Sequence, residues 1–127
     1  MSNEFLHTFD REEADLISHS GKAVIEKTIQ IPLLSINRIV GDHFSQCPNF
    51  VSLDTEGLDE CILKSFNFSK YRPEIMCLEC VDFSNHVEDA TNLEITKLME
   101  KQGYMAYAST HINTIFVDSE KWKNRNK

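Results

Sequence analysis

The chain has 127 residues, of which 41% are hydrophobic and 26% charged, and these values are typical of a globular protein and exclude disorder over the whole length. Its formal net charge of −7 disfavours phosphate backbones and anionic membrane surfaces, so we expect neither nucleic acid nor membrane as a partner. The acidic N-terminus lacks the apolar stretch of a secretory signal, so we expect a cytoplasmic protein. The length of the chain predicts one domain over residues 1–127, with a polar tail at 119–127.

The first part of the chain predicts two helices around an apolar segment. A D-x-x-E variant of the capping box begins at Asp10 and predicts a short helix that ends near Gly21. The segment 24–34 is rich in strand-forming residues and predicts a strand. Ser35 is a suitable N-cap for a second helix, because the apolar residues that follow it have helical spacing.

From Phe50 onward, predicted strands alternate with predicted helices. The order is strand, helix, strand, helix and then two strands, with "FVSL", "IMCLECV", "YMAYAS" and "NTIFVDS" as the strands. Such alternation favours parallel pairing through crossover helices. The last two strands are joined by only a few residues, so the final strand must run antiparallel. The sequence therefore predicts an α/β fold with a mostly parallel sheet and one antiparallel strand near its C-terminal end.

The cysteines and several aromatic residues are predicted to be structural. In a cytoplasmic protein the four cysteines are reduced, and we expect buried thiols rather than a metal or redox site, although "CLEC" formally has the C-x-x-C spacing. The aromatic residues near the C-terminal strands are interpreted as core or edge packing, with an aromatic ligand platform as the alternative. The loop 70–72 is expected to be solvated. These residues are Cys47, Cys61, Cys77, Cys80, Tyr104, Tyr107, Phe116 and Trp122.

Three acidic residues follow the predicted strands at positions where α/β folds bind ligands. Asp54 and Glu56 come directly after the strand "FVSL", Gly57 permits a sharp turn, and Glu79 ends the next strand. Carboxylates there can hold a hydroxyl group, attract a cation, bind a hard metal or remove a proton. They can equally cap the following helix and interact with its dipole. Both interpretations remain open at this point.

The segment "FVSLDTEGLDECILKSFNFSKYRPEIMCLE" resembles the central block of the FkbM family of S-adenosylmethionine-dependent methyltransferases. The family pattern is an apolar strand, D-x-E-G, an acidic helix start and a proline before a strand that ends in Glu. Upstream "TIQIPLLSINRIV" and downstream "EITKLMEKQGYMAYASTHINTIFVD" also resemble the family, so the resemblance spans about residues 8–118. The matching residues in the central block are Asp54, Glu56, Gly57, Leu58, Leu63, Pro73 and Glu79.

The resemblance implies a partial Rossmann-like class I methyltransferase sheet and methyl transfer from S-adenosylmethionine to a hydroxyl of a small molecule or sugar. It implies that Asp54 and Glu56 are catalytic and line the junction between cofactor and acceptor, and Asp54 is also a candidate for cofactor binding. The predicted wall of the active site consists of Gly57, Glu79, His111 and Asn113. No metal is assigned, although clustered acids are compatible with a cation.

The chain also departs from the family pattern. It has four glycines, no two of them close together, so it lacks the glycine-rich turn that receives the cofactor in these enzymes. The sequence resembles the C-terminal half to two-thirds of such an enzyme. The alternative function is therefore a non-catalytic remnant or interaction module. Such a module would self-associate as a homo-oligomer, or bind a partner that supplies the missing half, through an exposed sheet edge.

Overall fold

A computed structural model describes residues 8–55, 57–80, 90–110 and 112–126 of the chain. The chain divides into two compact units, Met1–Leu33 and Leu34–Lys127. The prediction of one domain over residues 1–127 stays a prediction. Within the described ranges, no helix is long and apolar enough to cross a membrane.

The described part of the first unit contains helix α1, Arg11–His19. Asp10 is its N-cap, as predicted, and its carboxylate accepts hydrogen bonds from the backbone N–H groups of Glu12 and Glu13. The strand predicted over 24–34 is wrong, because residues 23–35 form neither helix nor strand. An extended segment becomes a strand only when its backbone pairs with a neighbour, and all four strands of the described sheet come from residues 50–118.

In its described residues, the second unit contains four strands and four helices. Ser35 caps the first of these helices, accepting a hydrogen bond from the Arg38 N–H at 3.3 Å, as its position predicted. Asp118 caps the last helix, which begins inside the predicted polar tail 119–127. The elements are α2 Ile36–His43, β1 Phe50–Leu53, α3 Asp59–Ser65, β2 Ile75–Glu79, α4 Ala90–Lys101, β3 Tyr104–Ser109, β4 Asn113–Asp118 and α5 Ser119–Asn124.

The strands form one mixed sheet in the order β1-β2-β4-β3. β1 and β2 are parallel, whereas β4 is antiparallel to both of its neighbours, β2 and β3. The α/β class and the antiparallel last strand are therefore confirmed. The prediction of a mostly parallel sheet is wrong, because β4 lies between β2 and β3 and makes two of the three strand pairings antiparallel. β1, β2 and β3 nevertheless run in one direction.

One face of the sheet carries most of the core. In β2, Met76 and Leu78 are fully buried, while the alternate residues are half-buried, so one face of β2 is more accessible than the other. Helix α4 contributes Ile95 and Met99 to this core, at the spacing of one helical turn. The expectation that the C-terminal aromatics pack in the core or at an edge is confirmed. Tyr104 and Phe116 are buried, and Tyr107 on the edge strand packs against Trp122 with ring centroids 4.6 Å apart.

The loop 70–72, expected to be solvated, instead joins the end of β4 to the core. Tyr71 is buried, and the Arg72 guanidinium donates through Nε to Asp118 Oδ2 at 2.7 Å and through Nη1 to the Gln102 carbonyl at 3.0 Å. Asp118 also accepts hydrogen bonds from two backbone N–H groups of α5, each at 3.0 Å. Burial by itself would raise the pKa of Asp118, but the α5 N–H groups and the charge of Arg72 outweigh burial and lower it.

Candidate functional site

The parallel pairing of β1 and β2 brings two of the predicted acidic residues to the same edge of the sheet. Leu53 is paired with Leu78, so the next residues along the two strands, Asp54 and Glu79, follow at neighbouring positions. Asp54 is exposed and Glu79 is half-buried. The register thus brings the positions of two of the three predicted acidic residues to the carboxyl ends of these strands, and the convergence of all three stays a prediction.

Asn113, a predicted wall residue, lies in the same row. It is the first residue of β4 and is directly opposite Glu79 in the antiparallel pairing. Directly opposite residues share a face of the sheet, and here it is the face that is only half-buried in β2. Glu79 and Asn113 therefore lie opposite each other on the more accessible face, and together with Asp54, which directly follows β1, they form a polar row at this edge of the sheet.

The turn after β1 has a conformation that explains its glycine. Gly57 has φ of 90°, a left-handed conformation that L-residues rarely adopt. No atom lies within 4 Å of the position that a Cβ would occupy, so the backbone angle and not crowding requires glycine. The Leu58 N–H donates to the Thr55 carbonyl at 3.3 Å and closes the turn. The predicted role of Gly57 in turning the chain is consistent with this geometry.

The remaining two predicted site residues, Glu56 and His111, lie outside the described residues. The loop next to His111 is fixed from its described side by Thr110. The Thr110 hydroxyl accepts hydrogen bonds from the N–H groups of Ile112 and Asn113, at 3.3 and 2.8 Å. These bonds hold the backbone of Asn113 at the start of β4, beside the polar row.

Sequence reasoning missed Asp59, which is the first residue of α3 and only 5% exposed. Its Oδ2 accepts hydrogen bonds from both the backbone N–H and the hydroxyl of Thr55, at 3.2 and 2.9 Å. Its Oδ1 has no hydrogen-bond partner among the described residues. A signal for Asp59 was available, since it lies four residues before the buried Leu63 and hence on the core side of the helix.

Cys80 lies just beyond β2 and is buried. Burial raises the pKa of its thiol, a hydrogen bond with Thr114 opposes that rise, and the negative charge of Asp59 adds to it. Cys47 and Cys77 are half-buried and Cys61 is exposed, so the prediction of buried thiols holds for Cys80 and is wrong for Cys61. Within the described ranges, no three or more His, Cys, Asp or Glu residues are grouped as metal ligands.

Comparison with known protein families gives a match over most of the chain. The family model described as "Methyltransferase FkbM domain" matches residues 2–105, which is most of the chain. The chain belongs to the FkbM methyltransferase family. No curated protein and no solved structure gives a significant match to the chain. The matched range of the FkbM domain includes the turn after β1, α3 and the end of β2, and ends within β3.

Proposed function

We propose that this FkbM-family domain transfers a methyl group from S-adenosylmethionine to a hydroxyl of a small molecule or sugar. The observation that carries the proposal is the register of β1 and β2, which brings Asp54 and Glu79 to the carboxyl edge of the sheet in a chain of this family. We further propose that the mixed sheet corresponds to part of a Rossmann-like class I sheet. The common direction of β1, β2 and β3 supports that correspondence.

The residues of the polar row suit the chemistry of the two reactants. S-adenosylmethionine supplies the methyl group on a positively charged sulfur. Carboxylates at the cleft edge attract such a cation and accept hydrogen bonds from its hydroxyl groups. The described residues do not form a glycine-rich backbone cradle, so the fit concerns the acidic edge alone. Asp54, exposed at the end of β1, is in our proposal the residue that meets cofactor and acceptor.

The proposed roles rest on the positions of Asp54, Glu79 and Asn113 in the structure and on that of Glu56 in the sequence. When bound, S-adenosylmethionine would supply the methyl group to the acceptor oxygen and would leave as S-adenosylhomocysteine, and the acceptor hydroxyl would have to lose its proton. Asp54 or Glu56 orients the hydroxyl and accepts that proton. Glu79 and Asn113 form the wall next to it. Alignment of the reacting atoms supplies much of the acceleration, so loss of one carboxylate should lower the rate without abolishing it.

The experiment has two measurements. The purified chain is titrated calorimetrically with S-adenosylmethionine, and S-adenosylhomocysteine formation is measured with a panel of sugars and small alcohols as acceptors. We expect binding and turnover in the wild type, and lower turnover with an unchanged melting temperature in Asp54→Ala and Glu56→Ala. Asp42→Ala, which removes an exposed carboxylate from α2, is the matched control. A folded wild type that binds no S-adenosylmethionine would contradict the proposal.

A second candidate function, a non-catalytic interaction module, is favoured by the geometry of β1. In the described sheet β1 pairs with a strand on one side only, and its first residue, Phe50, is 56% exposed. An open strand edge with an apolar side chain is suited to pair with another chain. Size-exclusion chromatography with light scattering separates the two functions. A dimer that binds no cofactor favours the module, whereas a monomer that binds the cofactor favours the enzyme.

A further inference from the structure

Asp59 presents an energetic problem that helix capping does not explain. It is 5% exposed, and one of its two carboxylate oxygens has no partner in the described part of the chain. A buried polar atom without a partner is unfavourable, and native structures contain few of them. An asparagine would give Thr55 the same acceptor oxygen without burying a charge. The carboxylate therefore calls for a role beyond its contact with Thr55.

The contacts of Asp59 connect it to the turn that carries two predicted catalytic residues. Both donors of Thr55 bind Oδ2, and Thr55 lies between Asp54 and Glu56 in the sequence. The same turn is closed by one backbone bond, from the Leu58 N–H to the Thr55 carbonyl. Two of these three contacts depend on the side chain of Asp59. Removing that side chain should loosen the turn while leaving the β1–β2 pairing in place.

The position of the charge gives Asp59 a second effect. Its hydrogen bonds to Thr55 place the carboxylate just after the end of β1, and the pairing of Leu53 with Leu78 brings the same edge of β2 alongside. A negative charge in a buried setting acts over longer distances than one in water, because the surrounding dielectric is lower. Such a charge lies next to the edge where the proposed ligand carries a positive sulfur.

We propose that Asp59 is a positioning residue that holds Thr55 after the end of β1 and keeps beside it a negative charge that favours a cationic over a neutral ligand. The inference rests on the proposed function for its ligand, S-adenosylmethionine, whose neutral counterpart is S-adenosylhomocysteine. Its structural half, the fixation of the turn, does not depend on any ligand.

The first measurement is amide hydrogen exchange of the ligand-free chain. Asp59→Ala removes the acceptor of both Thr55 donors, so exchange over 54–58 should accelerate about tenfold, with β2 and β4 unchanged. Asp59→Asn keeps an acceptor oxygen, so exchange should stay close to that of the wild type. Asp42→Asn is the control for loss of a carboxylate elsewhere. Unchanged exchange over 54–58 in a folded Asp59→Ala, or acceleration in Asp59→Asn equal to that in Asp59→Ala, would overturn the positioning role.

The second measurement compares the affinities for S-adenosylmethionine and S-adenosylhomocysteine. Asp59→Asn should reduce the ratio of the two affinities, which favours the cationic ligand, by roughly tenfold, because it removes one partly screened charge close to the ligand. Asp42→Asn should leave this ratio unchanged. If Asp59 had only a structural role, its replacement would weaken the binding of both ligands equally. An unchanged ratio of affinities in Asp59→Asn would therefore overturn the charge effect. If the wild type binds neither ligand, the proposed function and the charge effect both fail, and the exchange data still decide the positioning role.

Discussion

Replacing Asp118 by alanine should be among the more destabilising single changes in the second unit. The side chain of Asp118 is 3% exposed and accepts hydrogen bonds from Arg72 and from two N–H groups of α5. Loss of the helix cap costs about 1 kcal/mol. The bonds to Arg72 are charge-assisted, but the Arg72 side chain is 39% exposed and solvent screens the pair, so they contribute about 1 kcal/mol more.

The sum, about 2 kcal/mol, corresponds to a fall in melting temperature of roughly 8 °C for a domain of this size. Differential scanning calorimetry measures it directly. Asp118→Asn should lose about half as much, because an amide oxygen still accepts from the α5 N–H groups. Asp42→Ala, which breaks an exposed pair with Arg38 at 3.2 Å, should cost less than about 0.5 kcal/mol. If Asp118→Ala melts no lower than Asp42→Ala, the reasoning about this buried network is wrong.

Three further outcomes are expected. The pKa of Asp118 is lowered in the folded state, so its contribution to stability is present above the unfolded pKa of about 3.9 and is lost as pH falls through the folded value. The free energy of unfolding, measured from pH 6 to pH 2, should therefore fall more steeply in the wild type than in Asp118→Asn. Equal slopes would contradict this. Gly57→Ala should lower the unfolding free energy by about 1 kcal/mol, since φ is 90° there, and a urea midpoint equal to that of the wild type would show that the turn relaxes. Iodoacetamide should modify the exposed Cys61 before the buried Cys80, whose pKa is raised by burial, and mass spectrometry that finds the reverse order would contradict the described packing.

The sequence by itself determined the local elements of this protein with good success. Asp10 and Ser35 predicted helix starts that the structure has, because an N-cap satisfies free N–H groups within a few residues of itself. The short apolar segments "FVSL" and "NTIFVDS" predicted β1 and β4, because β-branched and aromatic residues favour an extended, partly buried backbone. The short connection between β3 and β4 predicted the antiparallel last strand, since so few residues cannot make a crossover.

Only the tertiary structure decided which strands are neighbours and which polar residues are buried. The position of β4 between β2 and β3 depends on pairing between residues far apart in the chain, and no local pattern encodes it. The failure of segment 24–34 to form a strand has the same cause, because strand propensity becomes a strand only when a partner lies alongside. The ion pair of Arg72 with Asp118 likewise joins segments that are far apart in the chain, and the residue types alone do not reveal it in the sequence.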